Sequence, residues 1–474
     1  MAYQTINPYT NEVVKEYPEA TDQQLEDALQ KSHELYHTFK KQDIKERAKL
    51  LHQVADKIRE RSDELARTCT TEMGKLLTES KGEVELCAII ADWFADHAEE
   101  MLAPKEIETG ANGIAEVHYQ ATGVIMMVEP WNFPYYQMMR VFAPNFMAGN
   151  TMVLKHASNT PSSAQLMADV ILEAGAPEGS LTNLFLNYDQ VSKAIADPRV
   201  QGVALTGSER GGSTVAKVAG ENLKKTTLEL GGMDPFIVLD DANMEDVVDI
   251  AWRSRLYNNG QECTSSKRFI VMEDVYDEFV EQLKHNFSKV KPGDPLDPDT
   301  TLAPMNTKKA KEKLQDQVNE AIEAGAKVVY GNEPVDLPGQ FFMPTILTNI
   351  DRDNPAHTTE MFGPVAVVYK VKTEEEAIEL ANDSSYGLGG IVFASDSEHG
   401  AEVAAKIETG MVFVNNIRYS LPELPFGGVK RSGFGREMSS IGQKAFVNEK
   451  LIVKADRPDM DNLAGGLVAT QEHK

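Results

Sequence analysis

GVIMMVEPWNFP, residues 123–134, holds the key to the fold. Five apolar residues in a row, Val124 to Val128, end at Glu129 and run straight into a turn-rich stretch with Pro130 and Pro134. An apolar run of this length suits a strand buried on both faces, as in a parallel sheet. The pattern repeats downstream. TMVLKHA (151–157) reads as a second strand, and PSSAQLMADVILEAG (161–175) as a helix with Pro161 near its start and Gly175 at its end. LTNLFLN, VQGVALTGS, TTLEL and PFIVLDD follow as short apolar runs separated by helical segments. A second alternating set begins after Asp240, with strands KRFIVMED, AKVVYG, VAVVYKV, GGIVFAS and MVFVNN and helices such as EEEAIELAND. Strands alternating with helices predict an α/β chain with two parallel-sheet domains.

Upstream, Thr21 to about Leu102 reads as helical: TDQQLEDALQKSHELYHTF and KERAKLLHQVADKIRERSDELA carry apolar residues at spacings of three and four. Two segments fit neither set. GIAEVHYQATG (113–123) and KAFVNEKLIVKAD (444–456) are extended and half polar, and are expected to be arms that pair with another subunit. The last eighteen residues read as a loose tail.

Composition narrows the partners. With 47 Lys and Arg against 73 Asp and Glu, the formal net charge of −26 disfavours nucleic acid and anionic lipid. The longest apolar candidate for a span, AIIADWFADHA, is interrupted twice by Asp, and the first twenty residues lack the basic and apolar regions of a secretory signal. Cys69, Cys87 and Cys263 are an odd count without metal or redox spacing, so a cytoplasmic protein without a metal is expected.

Cys263 stands in YNNGQECTSSKR (257–268), a polar setting for a residue that usually packs among apolar neighbours, and therefore reads as a reactive thiol. ALTGSERGG (204–212) follows a strand and opens a helix, where backbone N–H groups can meet an anion, although a plain turn explains it equally well. In TLELGGMDPF, Glu229 lies among apolar residues, which favours a raised pKa and a general base; its plain alternative is a strand-end ion pair. Asn132 in EPWNFP is an amide donor or a turn asparagine.

EPWNFP, TGS, ELGG, NNGQEC, EMFGP (360–364) and PFGGVKRSGFGRE (425–437) occur in one order along nearly the whole chain. That series resembles the aldehyde dehydrogenase superfamily, and within it the short succinate-semialdehyde dehydrogenases of bacteria. The resemblance implies a Rossmann-type cofactor domain over 1–112 and 124–233, a catalytic domain over 234–432, and an oligomerisation arm with tail over 113–123 and 433–474. It implies Cys263 as nucleophile, with Gly260 and Gln261 keeping its surroundings open, Asn132 with the Cys263 N–H as oxyanion donors, and Glu229 as the base for water. Pro130, Trp131, Asn132, Leu230, Glu360 and Phe362 are placed at the nicotinamide end of the cofactor. Lys155, His156, Ala157 and Ser158 are placed at the adenosine ribose, and Gly207 and Ser208 at the pyrophosphate.

Members that prefer NAD often carry a glutamate where this chain has Ser158, so NADP is expected to be preferred and NAD accepted. Arg140 falls where relatives hold a substrate carboxylate, and Arg418 and Ser420 lie on the loop bordering their aldehyde tunnel; a second arginine of many relatives is replaced here by Tyr257. The expected substrate is succinic semialdehyde, the alternatives being another small aldehyde or a CoA-acylating reaction. A homodimer or homotetramer is expected.

Overall fold

The computed structural model describes residues 3–110 and 112–457; most of the expected C-terminal tail, 458–474, lies outside the described residues. The decisive stretch is a strand, Val124–Glu129, at the centre of a six-stranded sheet. Across that sheet the order is Gly433–Phe434, Lys225–Glu229, Val200–Thr206, Val124–Glu129, Thr151–His156 and Leu181–Asn183. All pairs are parallel except the edge contributed by Gly433–Phe434. Helices cover both faces, so the strand's Ile125 and Met127 pack into one apolar cluster and Val124 and Met126 into another. This double burial explains why the run shows no polar alternation.

Register then sets the site. Glu129 pairs with His156 and Thr206 with Glu229, so the strands end together and present their last residues along one carboxyl edge. In parallel α/β sheets that edge is where ligands bind.

The second sheet has seven strands in the order Lys327–Tyr330, Thr345–Thr348, Val365–Val371, Arg268–Met272, Pro235–Val238, Ile391–Phe393 and Phe413–Val414. Two of these correct the sequence reading. Pro235–Val238, grouped by its apolar pattern with the first set although the boundary implied by the resemblance falls at 233/234, belongs to the second sheet, and the short TILT run forms the strand Thr345–Thr348, absent from the set read above. Only tertiary pairing distinguishes a four-residue strand from a buried loop of the same composition.

The N-terminal region forms helices Asp22–Phe39, Ile44–Glu60, Ser62–Met73 and Leu77–Met101, preceded by a hairpin of Tyr3–Ile6 with Val13–Tyr17. The two supposed arm segments pair with each other: Ile114–Ala121 runs antiparallel to Val447–Lys454, and Lys105–Ile107 completes a three-stranded sheet. Ile107, Ile114, Leu451 and Val453 of this sheet are exposed. No helix among the described residues is long and apolar enough to cross a membrane.

Candidate active site

The loop carrying Cys263 is shaped by backbone that few residues tolerate. Asn258 and Asn259 are both left-handed (φ 51° and 52°), and Gly260 follows at φ 70°. Asparagine and glycine are the residues that adopt this conformation at least cost. A Cβ on Gly260 would also meet the Gly363 backbone at 2.5 Å. The Gln261 side chain is fully buried, its Oε1 accepting the Asn306 N–H at 2.9 Å. Gly260 and Gln261 therefore set the loop's path; the expectation that they leave room for a carbonyl is replaced by a structural role.

Cys263 emerges half-buried at the wall of a cavity of about 540 Å³. Asn132 shares that wall. Its Nδ2 donates one hydrogen to the Gln261 carbonyl at 3.1 Å and its Oδ1 accepts from Gln137 Nε2 at 3.1 Å, which fixes the amide's orientation and leaves a second N–H uncommitted. Pro130, Trp131, Leu230, Glu360 and Phe362 line the same cavity, with Trp131 and Phe362 edge to face at 5.8 Å. Gly207 and Ser208 also reach it. Ser208 caps helix Glu209–Glu221, accepting the Gly211 N–H at 3.2 Å, so the helix presents its N-terminal amides toward the cavity.

Lys155 to Ser158 do not line this cavity, being one strand further along the sheet. Lys155 is buried beside the rings of Tyr3 and Tyr188 and, among the described residues, has no carboxylate partner; burial lowers its pKa to about 8. The His156 ring is turned into the protein, between the Pro134 carbonyl at 3.1 Å and Thr160 Oγ1 at 3.0 Å. Burial, with Lys155 adding to it, lowers its pKa to about 3. This is a correction: the side chain of His156 is a packing group.

Glu229 is buried, neither oxygen is hydrogen-bonded among the described residues, and it does not line the cavity. Its carboxyl rests against Gly427, where a Cβ would come within 2.6 Å of Oε1. Burial, then repulsion from Glu437, holds its pKa well above the usual carboxylate range, with Arg140 and Arg436 opposing.

Arg140 is the second correction. It is 1% exposed and paired with Glu437, donates to Thr206 Oγ1 at 3.1 Å, and stacks over Phe426 at 4.2 Å. It lines neither cavity beside Cys263, so its guanidinium is engaged within the protein and not offered to a substrate carboxylate. A charge so deeply buried persists because it is paired.

A further cavity, about 580 Å³, lies on the other side of the nucleophile loop, where Phe133, Tyr136, Tyr257, Glu262, Arg418 and Ser420 meet. Arg418 is held by Glu262, Nη1 to Oε1 at 2.9 Å and Nη2 to Oε2 at 2.5 Å, and Nη1 also donates to Thr264 Oγ1 at 2.9 Å. Its Nε is buried and, among the described residues, has no hydrogen-bond partner.

Three supporting residues escaped the sequence reading. Arg255, fully buried, donates to the carbonyls of Val365 at 2.7 Å, Met361 at 2.9 Å and Gly363, and to Ser265 Oγ at 2.6 Å, tying the EMFGP loop to the nucleophile loop. Glu83 accepts the N–H groups of Tyr135 and Tyr136 at 2.8 and 3.0 Å and pairs with Lys75 at 2.6 Å, anchoring the turn after Asn132. Lys267 lies beneath Cys263. Nothing in their local sequence sets these three apart from ordinary surface charges; only burial does.

Residues 1–452 match the model of the aldehyde dehydrogenase family. The chain belongs to that family. Among solved structures, a succinic semialdehyde dehydrogenase from Streptococcus pyogenes in complex with NADP+ is 57% identical, with a TM-score of 0.95 over 96% of this chain and all of that one. A succinate-semialdehyde dehydrogenase [NADP(+)] of Deinococcus radiodurans is 47% identical over 95% of this chain and 94% of its own length. A betaine aldehyde dehydrogenase from Staphylococcus aureus in complex with NAD+ is 30% identical, with a TM-score of 0.93 over 98% and 93% of the two chains. The aldehyde dehydrogenase fold and aldehyde oxidation expected from the sequence motifs are thus borne out.

Proposed function

We propose that this aldehyde dehydrogenase oxidises succinic semialdehyde to succinate with NADP as the preferred hydride acceptor. The observation that carries the reading is the meeting of Cys263 and Asn132 on one cavity in a chain 57% identical to a succinic semialdehyde dehydrogenase.

The residues fit a dinucleotide. The cavity lies at the carboxyl edge of the parallel sheet and receives the N-terminus of helix Glu209–Glu221, a favourable position for a pyrophosphate. Gly207 and Ser208 would hold the pyrophosphate, and Glu360 and Phe362 the nicotinamide end. Lys155, a buried cation without a carboxylate partner, and the neutral Ser158 suit the additional phosphate of NADP. A glutamate at Ser158 would repel it. When bound, the nicotinamide supplies the acceptor for the hydride.

The chain's own groups then account for the rest. The Cys263 sulfur, as the thiolate, forms a bond to the aldehyde carbon while the C=O π bond breaks onto oxygen, splitting one difficult oxidation into two steps. The uncommitted hydrogen of Asn132 Nδ2 and the Cys263 N–H, which has no protein acceptor among the described residues, stabilise the oxygen anion that develops. Hydride loss leaves a thioester on Cys263. Water cleaves it, Glu229 taking the proton, and the sulfur leaves as thiolate. Because Glu229 is parked against Gly427, it must turn toward Cys263 for this step.

Carboxylate recognition falls to Arg418 and Ser420 in the second cavity, in place of Arg140. A carboxylate placed there meets the Arg418–Glu262 pair and Ser420, which line that cavity together. The exposed apolar residues of the three-stranded sheet support a homo-oligomer, and the chain is assigned to the cytoplasm.

The test compares kcat/KM for succinic semialdehyde and butanal with each cofactor, alongside Cys263→Ala. Preference for the semialdehyde and NADP, with no turnover in the variant, is expected. Equal kcat/KM for the two aldehydes would leave a general aldehyde dehydrogenase, and turnover by Cys263→Ala would remove the nucleophile assignment.

A further inference from the structure

Lys267 occupies a position that the chemistry above does not use. Its side chain is 3% exposed, yet it carries an ammonium. The group donates to the carbonyls of Cys263 at 2.7 Å, Glu262 at 2.9 Å and Ser265 at 3.4 Å, and lies 3.2 Å from Glu360 Oε1. Its backbone is fixed: the Lys267 N–H donates to the Asp234 carbonyl at 3.1 Å, and its own carbonyl accepts the Val367 N–H at 3.1 Å. It therefore enters the central strand Arg268–Met272 bonded on both sides, on a rigid element of the seven-stranded sheet.

We propose that Lys267 is the positioning cation of Cys263: its buried charge favours the anionic form of the sulfur, and Glu360, its carboxylate partner, holds that effect in check. The proposal rests on Cys263 being the nucleophile. A thiolate is the reactive form of a cysteine, and a cation beside it is the usual means of favouring that form. Buried charges act over short range with little screening.

The other charged groups around Cys263 make the need for such a cation plain. Burial, with Glu262 in the same turn adding to it, raises the thiol pKa to about 12. Lys267 is the foremost opposing group, followed by Arg140, while Glu360 again works against ionisation. Arg140 is committed to Glu437, and Arg418 to Glu262. Lys267 differs because its carboxylate is half-shared: Glu360 Oε1 also accepts the Gly232 N–H at 3.2 Å.

A purely structural role, stitching the loop through its carbonyls, predicts something different. Glu360→Gln removes a direct repulsion of the sulfur whatever Lys267 does. Lys267→Gln separates the two roles: it keeps a donor for the loop carbonyls and removes the charge, so a stitching lysine would give no change in thiol reactivity and a charge-balancing lysine a slower one.

The test is the pH dependence of iodoacetamide alkylation at Cys263 in the cofactor-free full-length protein, read by peptide mass; Cys69 and Cys87 are fully buried. Lys267→Met is expected to move the midpoint upward by about one unit, an alkylation rate about tenfold slower below it. Glu360→Gln is expected to move it downward and speed alkylation, and Lys267→Arg to stay near the wild-type midpoint. The proposal is overturned if Lys267→Met or Lys267→Gln coincides with wild type. Should Lys267→Met not fold, Lys267→Gln, which keeps a donor for the carbonyls, decides the matter by itself. Failure here is separable from failure of the nucleophile assignment, which the turnover of Cys263→Ala decides.

Discussion

Neutralising Glu262 tests how this acidic protein recognises an anionic substrate. In the structure Glu262 occupies the end of the Arg418 guanidinium through two contacts, so the cavity sees a pair and not a free cation. Glu262→Gln retains a hydrogen-bond acceptor for Arg418, as does Thr264, but removes the counter-charge. A full charge at about 5 Å and an effective dielectric of about 20 is worth roughly 3 kcal/mol. The cavity admits water, and both side chains keep a little exposure (12% and 10%), so about 1–2 kcal/mol is the realistic gain for a bound carboxylate, or roughly 5- to 30-fold. The assay is the ratio of kcat/KM for succinic semialdehyde to that for butanal. Glu262 also discourages ionisation of the adjacent Cys263, but that change affects both aldehydes and cancels in the ratio. An increase in the ratio, mostly through KM for the semialdehyde, is expected. A ratio unchanged within twofold would refute Arg418 as the carboxylate anchor.

Glu229→Gln should give a burst of reduced cofactor followed by turnover slower by about 10²- to 10⁴-fold, the range for loss of a general base, measured by stopped-flow absorbance. Because burial and Glu437 raise the Glu229 pKa, wild-type hydrolysis should fall as the pH drops through that raised value, and Glu229→Gln should lose this acid limb. Ser158→Glu should shift the kcat/KM ratio toward NAD by at least about tenfold, the loss of one like-charge clash; an unchanged ratio would show that the 2′-phosphate lies elsewhere. Arg140→Leu should cost about 3–5 kcal/mol of stability by leaving Glu437 buried and unpaired, seen in denaturant unfolding, with the semialdehyde-to-butanal preference retained in the folded fraction; loss of that preference would restore Arg140 as the anchor.

The apolar runs of the chain dictated the α/β class by themselves, because a strand buried on both faces leaves no room for polar alternation, as Val124–Val128 shows. Cys263 could be singled out for the same reason in reverse: a thiol flanked by Asn, Gly and Gln is not a packing residue. The sequence could not say which strand joins which sheet. Pro235–Val238 passes to the second sheet because it pairs with Arg268–Met272 and Ile391–Phe393, contacts made with residues far along the chain. Nor could it show the state of a charge. Arg140 and Arg418 look equally able to grip a carboxylate, yet the first is buried against Glu437 away from both cavities, and the second, paired with Glu262, lines one. Lys267 reads as one more surface lysine until the fold buries it under the nucleophile. Charges gain their meaning from burial and from partners distant in sequence, and those are fixed only when the two sheets close on one another.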